Sequence, residues 1–232
     1  GNGCFIQLYQ FVFREGYIGV SFFFILSGFI LTYTYKKKLL QQEVSVKTFW
    51  AARIARIYPL HVITLLLAVP FALDGMLNDT AVWVEKFVVN VLLVHGFVPI
   101  QAVFFSFNAP SWSISNELFF YMLFPWLMTF FYKHSKVIFF VLVLMACIPV
   151  AMYFTSVQWK HYVYYINPLL RLFDFIIGIL IFRFFESASL IKWMQVRYVA
   201  TFMEIISIAL FILFFVLHPF VPQEYRYSIY YW

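Results

Sequence analysis

Hydrophobic residues along this chain fall in long unbroken runs rather than in alternation. The most informative run follows a polar cluster, Ser111, Ser113, Ser115, Asn116 and Glu117. It extends from Leu118 to Phe131, broken only by Tyr121, Pro125 and Thr129. The 19 residues from Ser113 to Phe131 make roughly 28 Å of helix, close to the hydrocarbon thickness of a bilayer. Similar runs predict spans near 16–35, 57–73, 113–132, 137–154, 168–185 and 198–217. Barrel strands would alternate instead. The expectation is an all-α, polytopic transmembrane helix bundle, forming a single domain over 1–232.

Val88–Phe107 fits less simply. It is apolar, but His95, Gly96 and Pro99 interrupt it. With Pro110–Glu117 placed outside, this stretch has to enter and leave on one face. It therefore reads as a re-entrant or broken helix, which a membrane tolerates only when buried in protein. Gly1–Glu15, broken by Arg14 and Glu15, reads as a loop. In the first span, Gly19, Ser21, Ser27 and Gly28 are small enough to let another helix approach closely.

Composition agrees with a membrane protein: 64% of residues are hydrophobic, 24% aromatic and 11% charged, against about 25% charged in soluble domains. The net charge of +6 would suggest nucleic acid in a soluble protein. Here its distribution sets topology instead, and no nucleic-acid partner is expected. Lys36, Lys37, Lys38, Lys47, Arg53 and Arg56 crowd one loop against Glu43 alone, which marks Lys36–Arg56 as cytoplasmic. Lys133, Lys136, Arg183, Lys192 and Arg197 fall on the same side of that path, while Asp74, Asn78 and Asp79 form an outer loop. Cys4 and Cys147 are isolated, no HxxxH or CxxC spacing is present, and neither a disulfide nor a metal site is expected. There is no Walker loop and no GxSxG elbow.

Several residues carry two readings. Arg53 and Arg56, spaced i, i+3, share a helix face and suit a phosphate-bearing ligand. The same pair also serves as a topology anchor that snorkels to headgroups. Glu117 is a carboxylate near a membrane boundary, beside Ser113. It either does chemistry or, in the first turn behind an N-cap at Ser111 or Ser113, complements the helix dipole. Arg171 and Asp174, three apart, read as a structural pair or as a binding site. Glu204 lies deeper, as a relay carboxylate or the partner of an Arg elsewhere. His61 and His95 are lone imidazoles in apolar runs, more in keeping with packing than catalysis.

Five stretches occur in order: GYIGVSFFFILSGFILTY, FWAARIARIYPLH, NVLLVHGF, FNAPSWSISNELFFYMLFPWL and NPLLRLFDFIIGIL. Together they resemble acyltransferase family 3, the O-antigen and exopolysaccharide O-acetyltransferase type, over roughly residues 10–185. The resemblance implies transfer of an acyl group, acetyl by preference, from acyl-CoA to a sugar hydroxyl of a cell-surface polysaccharide or glycolipid such as lipopolysaccharide. Acyl-CoA is then a co-substrate, with no bound cofactor. The implied partners are membrane lipids, acyl-CoA and a glycan acceptor, and the implied place is a bacterial inner membrane. Arg53, Arg56, Trp112 and Arg171 become acyl-CoA or substrate contacts, and Glu117, Ser113 and Ser115 part of the catalytic chamber. The family's histidine lies on a first helix ahead of the LSGF span. Gly1–Arg14 contains no His, so that residue is expected upstream of Gly1. The chain then reads as a fragment lacking that helix and the C-terminal helices, inactive by itself. Two rival readings stay open. Glu204, Asp174 and a broken helix would suit a transporter of a lipid-linked sugar or organic anion. A non-catalytic family member is the other.

Overall fold

The computed structural model describes residues 18–187 and 197–217. Among them every regular element is helical. Helix α1 is Ile18–Leu40 and α2 is Val46–Ala68; a 3₁₀ turn, Val69–Ala72, links α2 to the short α3, Leu73–Asn78. Helices α4, Thr80–Val91, and α5, Gln101–Phe104, flank a second 3₁₀ turn at His95–Phe97. Then come α6, Ser111–Lys133, α7, Ser135–Phe154, and the short α8, Val157–His161. A π turn at Tyr162–Ile166 leads into α9, Pro168–Ser187, and α10 is Arg197–Leu217. The expected loop at Gly1–Glu15, Cys4, Lys192 and the tail beyond 217 lie outside the described residues.

Among the described residues, three helical stretches are long and apolar enough to cross a membrane: Gly19–Leu40, Val46–Asn78 and Ser135–Phe154. The protein is an integral membrane protein. Its outer faces are apolar rather than charged: Phe22, Phe23, Phe71, Phe139 and Phe140 are all exposed. In lipid such side chains face hydrocarbon, so no hydrophobic force drives the helices together and close packing must hold them.

That packing centres on α6. Its Phe120, Tyr121, Phe124, Met128 and Phe131 are buried against α1, α2 and α9. Phe120 meets Phe24 of α1 edge-on at 5.0 Å and stacks on Phe175 of α9 at 5.3 Å, while Phe124 meets Phe49 of α2 at 5.4 Å. Such rings add energy beyond the area they cover. Helices α1 and α9 run parallel, tied by Arg171 to Ser21 near one end and Lys36 to Glu186 at the other. They touch backbone to backbone. A Cβ on Gly28 would lie 2.1 Å from the Phe175 carbonyl oxygen, and one on Gly178 would lie 2.0 Å from that of Ile25.

Helix α2 starts earlier than the apolar run that announced it. Ser45 caps it, accepting from the Thr48 N–H at 3.1 Å, so Arg53 and Arg56 lie well inside the helix rather than ahead of the apolar run, and Pro59 falls in mid-helix. Asp79 is not a loose loop residue either, since it caps α4 through the Val82 N–H. Glu204 is exposed on α10.

Residues 88–107 form a break. Helix α4 stops at Val91, Leu93 takes a left-handed φ of 54° and Phe107 one of 58°. Non-glycine residues rarely adopt this region. The freed carbonyls are taken up by side chains from elsewhere. Tyr58 donates to Val91, His61 Nε2 to Asn90, Ser115 to Leu93 and Tyr162 to Phe97, at 2.6–3.0 Å. Irregular backbone at membrane depth is stable only with such internal partners.

Candidate active site

The polar cluster that opens α6 splits by helical periodicity into two faces. Ser111, Ser115 and Asn116 point one way and are fully buried. Ser111 Oγ meets His95 Nε2 at 3.1 Å, Ser115 holds the Leu93 carbonyl at 2.6 Å, and Asn116 Nδ2 donates to the Ile166 carbonyl at 2.8 Å. Gly96 sits against this face, where a Cβ would come within 2.9 Å of Asn116 Oδ1. These groups anchor the broken segment. His95 therefore acts as a packing residue, and so does His61, whose ring lies parallel to it at 6.4 Å.

Ser113, Glu117 and Tyr121, spaced i, i+4, i+8, point the other way and share a cavity of about 380 Å³ with Arg56 of α2. From α1, Val20, Phe24, Ser27 and Leu31 supply its opposite wall. The Tyr121 hydroxyl donates to Glu117 Oε1 and accepts from Ser27 Oγ at 3.3 Å. Arg53 is tied down beside it: its Nη2 donates to the Tyr35 hydroxyl at 2.8 Å, and its guanidinium lies 6.0 Å from the Tyr121 ring. The ion pairs among the described residues are Lys36–Glu186 and Arg171–Asp174. Arg56 and Glu117 thus face the cavity uncommitted to one another.

This arrangement corrects the sequence reading in four respects. First, Glu117 is the seventh residue of α6 rather than in its first turn, and neither Ser111 nor Ser113 caps the helix. Ser113 Oγ instead donates to the Pro110 carbonyl at 2.8 Å. The helix-end explanation of Glu117 therefore fails. Second, Arg56 and Glu117 do not sit at opposite mouths. With α2 beginning at Val46, Arg56 lies about 15 Å along it. That sets Arg56, still exposed, on the rim of the cavity that the second turn of α6 lines. Third, Arg171 does not line the cavity. It is 1% exposed, with Nη1 2.9 Å from Asp174 Oδ2, Nη2 donating to Ser21 Oγ at 2.8 Å, and Phe24 and Tyr165 flanking it. Fourth, Trp112 and Ser115 lie outside the cavity. Trp112 is buried against Tyr165 at 4.8 Å, and Ser115 belongs to the anchoring face.

Two site residues were missed by the sequence reading. Tyr121 looked like an interruption of an apolar run, and Ser27 like a small packing residue. The signal for Tyr121 was its i+4 spacing from Glu117. Nothing in the local pattern ties Ser27 to either, because its partner is 94 positions away. Among the described residues, no three His, Cys, Asp or Glu side chains converge as metal ligands would. The cavity offers a cation, a carboxylate, three hydroxyls and an apolar wall. That set can hold an anionic or carbonyl-bearing group and take up a proton.

Comparison with known proteins places these residues in context. The acyltransferase family 3 pattern, an acyltransferase domain, matches residues 5–232. The acyltransferase MdmB of Streptomyces mycarofaciens is 43% identical over 113 residues, covering 47% of this chain and 28% of that protein. Protein 2 in the picA locus of Rhizobium radiobacter is 32% identical over 118 residues, covering 45% of this chain and 62% of that protein. The chain thus spans less than two thirds of either relative's length. No solved structure matches it significantly.

Proposed function

The chain belongs to acyltransferase family 3, and on that footing we propose that the full protein is a membrane O-acyltransferase. The proposed donor is acyl-CoA, with acetyl the favoured acyl group. The proposed acceptor is a sugar hydroxyl of a cell-surface polysaccharide or glycolipid, and the setting a bacterial inner membrane with Lys36–Arg56 on the cytoplasmic side. One observation carries the reading: Arg56 and Glu117 share a cavity, with Tyr121 between Glu117 and Ser27. Guanidinium groups recognise phosphate in a planar, bidentate way. Arg53, nearer the start of α2, is the proposed partner of the CoA phosphates. Arg56, almost one turn deeper, faces the chamber, where Phe23, Phe24 and Leu26 suit an apolar acyl chain.

In the proposed reaction the acceptor oxygen attacks the thioester carbonyl. A C–O bond forms, the C–S bond breaks, and the acceptor's proton is taken by a base and returned to the thiol. Glu117 is the carboxylate of that step, as base or as the group that orients a catalytic imidazole. Tyr121, itself held by Ser27, holds Glu117 in place. The test uses the full-length protein and follows acceptor-dependent release of free CoA thiol. Glu117→Gln should lower kcat about a hundredfold or more, as loss of acid–base help does. Arg56→Ala should raise KM for acyl-CoA about tenfold, as loss of a charge-assisted contact does. Unchanged constants in both variants would refute the assignment. Substrate counterflow in proteoliposomes without acyl-CoA would replace it with transport.

A further inference from the structure

At the end of the bundle that carries Lys36, a lateral groove of about 420 Å³ opens between α7 and α9. Its walls are Ile138 and Leu142 on one side and Ile177, Leu180 and Phe184 on the other, with Arg183 as its charged residue. The Arg183 guanidinium lies 5.3 Å from the Tyr132 ring, and its Nη1 is buried without a hydrogen-bond partner. Arg183 is half-buried, and a cation with one donor buried and open favours an anion beside it. The nearby carboxylate does not serve, because Glu186 is already held by Lys36 and by the Tyr132 hydroxyl. Lys133 and Lys136, at the turn joining α6 to α7, are exposed and add positive charge at the same end.

We propose that this groove binds an anionic phospholipid, its phosphate on Arg183 and an acyl chain along the α7–α9 walls. The polarity of the groove argues for a lipid. Its charged end lies at the basic end of the bundle, and its apolar floor runs from Phe184 back to Ile177, about 10 Å toward the centre of the membrane. A headgroup at the interface with a chain pointing inward has that same order. Basic pockets between membrane helices take anionic headgroups for this reason.

The full-length protein in detergent can be titrated with phosphatidylglycerol, phosphatidylcholine and inorganic phosphate, with bound lipid counted by native mass spectrometry. The expected result is selective retention of phosphatidylglycerol. Arg183→Gln should weaken that retention about tenfold, the loss of one charge-assisted hydrogen bond. Leu180→Trp, which fills the groove and keeps the guanidinium, should weaken it as well, and decides the matter should Arg183→Gln not fold. Equal retention of both lipids would overturn the proposal. So would retention untouched by either variant, or displacement of the lipid by phosphate alone. Retention of neither lipid would mean that another protein segment fills the groove, and would overturn it too.

Discussion

The Gly28–Gly178 crossing makes the sharpest stability prediction. Replacing Gly178 by Ala places a Cβ 2.0 Å from the Ile25 carbonyl oxygen, 2.7 Å from the Phe29 nitrogen and 3.0 Å from Gly28 Cα. Ordinary contact begins near 3.4 Å, so the shortfall is about 1.4 Å. The offending atoms are backbone and cannot rotate away, so α1 and α9 must part. An opening of that size takes the Arg171–Ser21 bond from 2.8 Å to about 4.2 Å, past hydrogen-bond range. Overpacking alone costs about 1–3 kcal/mol, and a lost charge-assisted hydrogen bond about 1.5–3 kcal/mol. Together they amount to roughly 2.5–6 kcal/mol, a large share of a typical stability. The assay is denaturant unfolding of the full-length protein in mixed micelles, read by tryptophan fluorescence. Gly19→Ala on α1 is the control, because nothing lies within 4 Å of its new Cβ. It should stay within about 0.5 kcal/mol of the parent. A Gly178→Ala protein as stable as the Gly19→Ala control would refute the reasoning.

Two further outcomes follow from the site and its surroundings. Tyr121→Phe keeps the buried ring and removes the O–H that Glu117 accepts, so kcat should fall about tenfold with KM for acyl-CoA unchanged; a matching rise in KM would show a binding role instead. His161, in the connection ahead of α9, is held below the ordinary histidine value by burial among Phe104, Phe105 and Tyr165. The folded chain therefore binds fewer protons there than the unfolded chain. The stability it contributes is present above the unfolded value, about 6.5, and is lost as pH falls. Hydrogen exchange across 157–166 should rise between pH 7 and 5, and His161→Phe should flatten that dependence.

Helix existence and the all-α class were legible because a lipid-facing span must be apolar along its length, as Ser135–Phe154 is. The end of α2 nearest Lys47 was not legible. Lys47, Arg53 and Arg56 precede the apolar run when hydropathy alone is read, and only the Ser45 cap shows how far into α2 the two arginines lie. That one misplacement put Arg56 on the opposite side of the membrane from Glu117, whereas the two line one cavity. Glu117 was legible as a residue of interest, since a carboxylate in an apolar run has few bland uses. Its surroundings were not, because Ser27, which bonds Tyr121, and Arg56, which lines the same cavity, arrive there through tertiary packing. Arg171 and Asp174 show the opposite failure: a buried pair three residues apart signals burial, and the pattern cannot say whether a ligand or a serine on another helix completes it.

The break at 88–107 constrains how the protein can be built. Its carbonyls are held by Tyr58 and His61 of α2, Ser115 of α6 and Tyr162 of the π turn. Each unsatisfied group would cost several kcal/mol in hydrocarbon. The segment cannot cross or rest in lipid as an independent unit, as a regular helix can. It can settle only after the chain has been synthesised through Tyr162 and α2 and α6 have come together, so a shortfall in biogenesis should strand this stretch first.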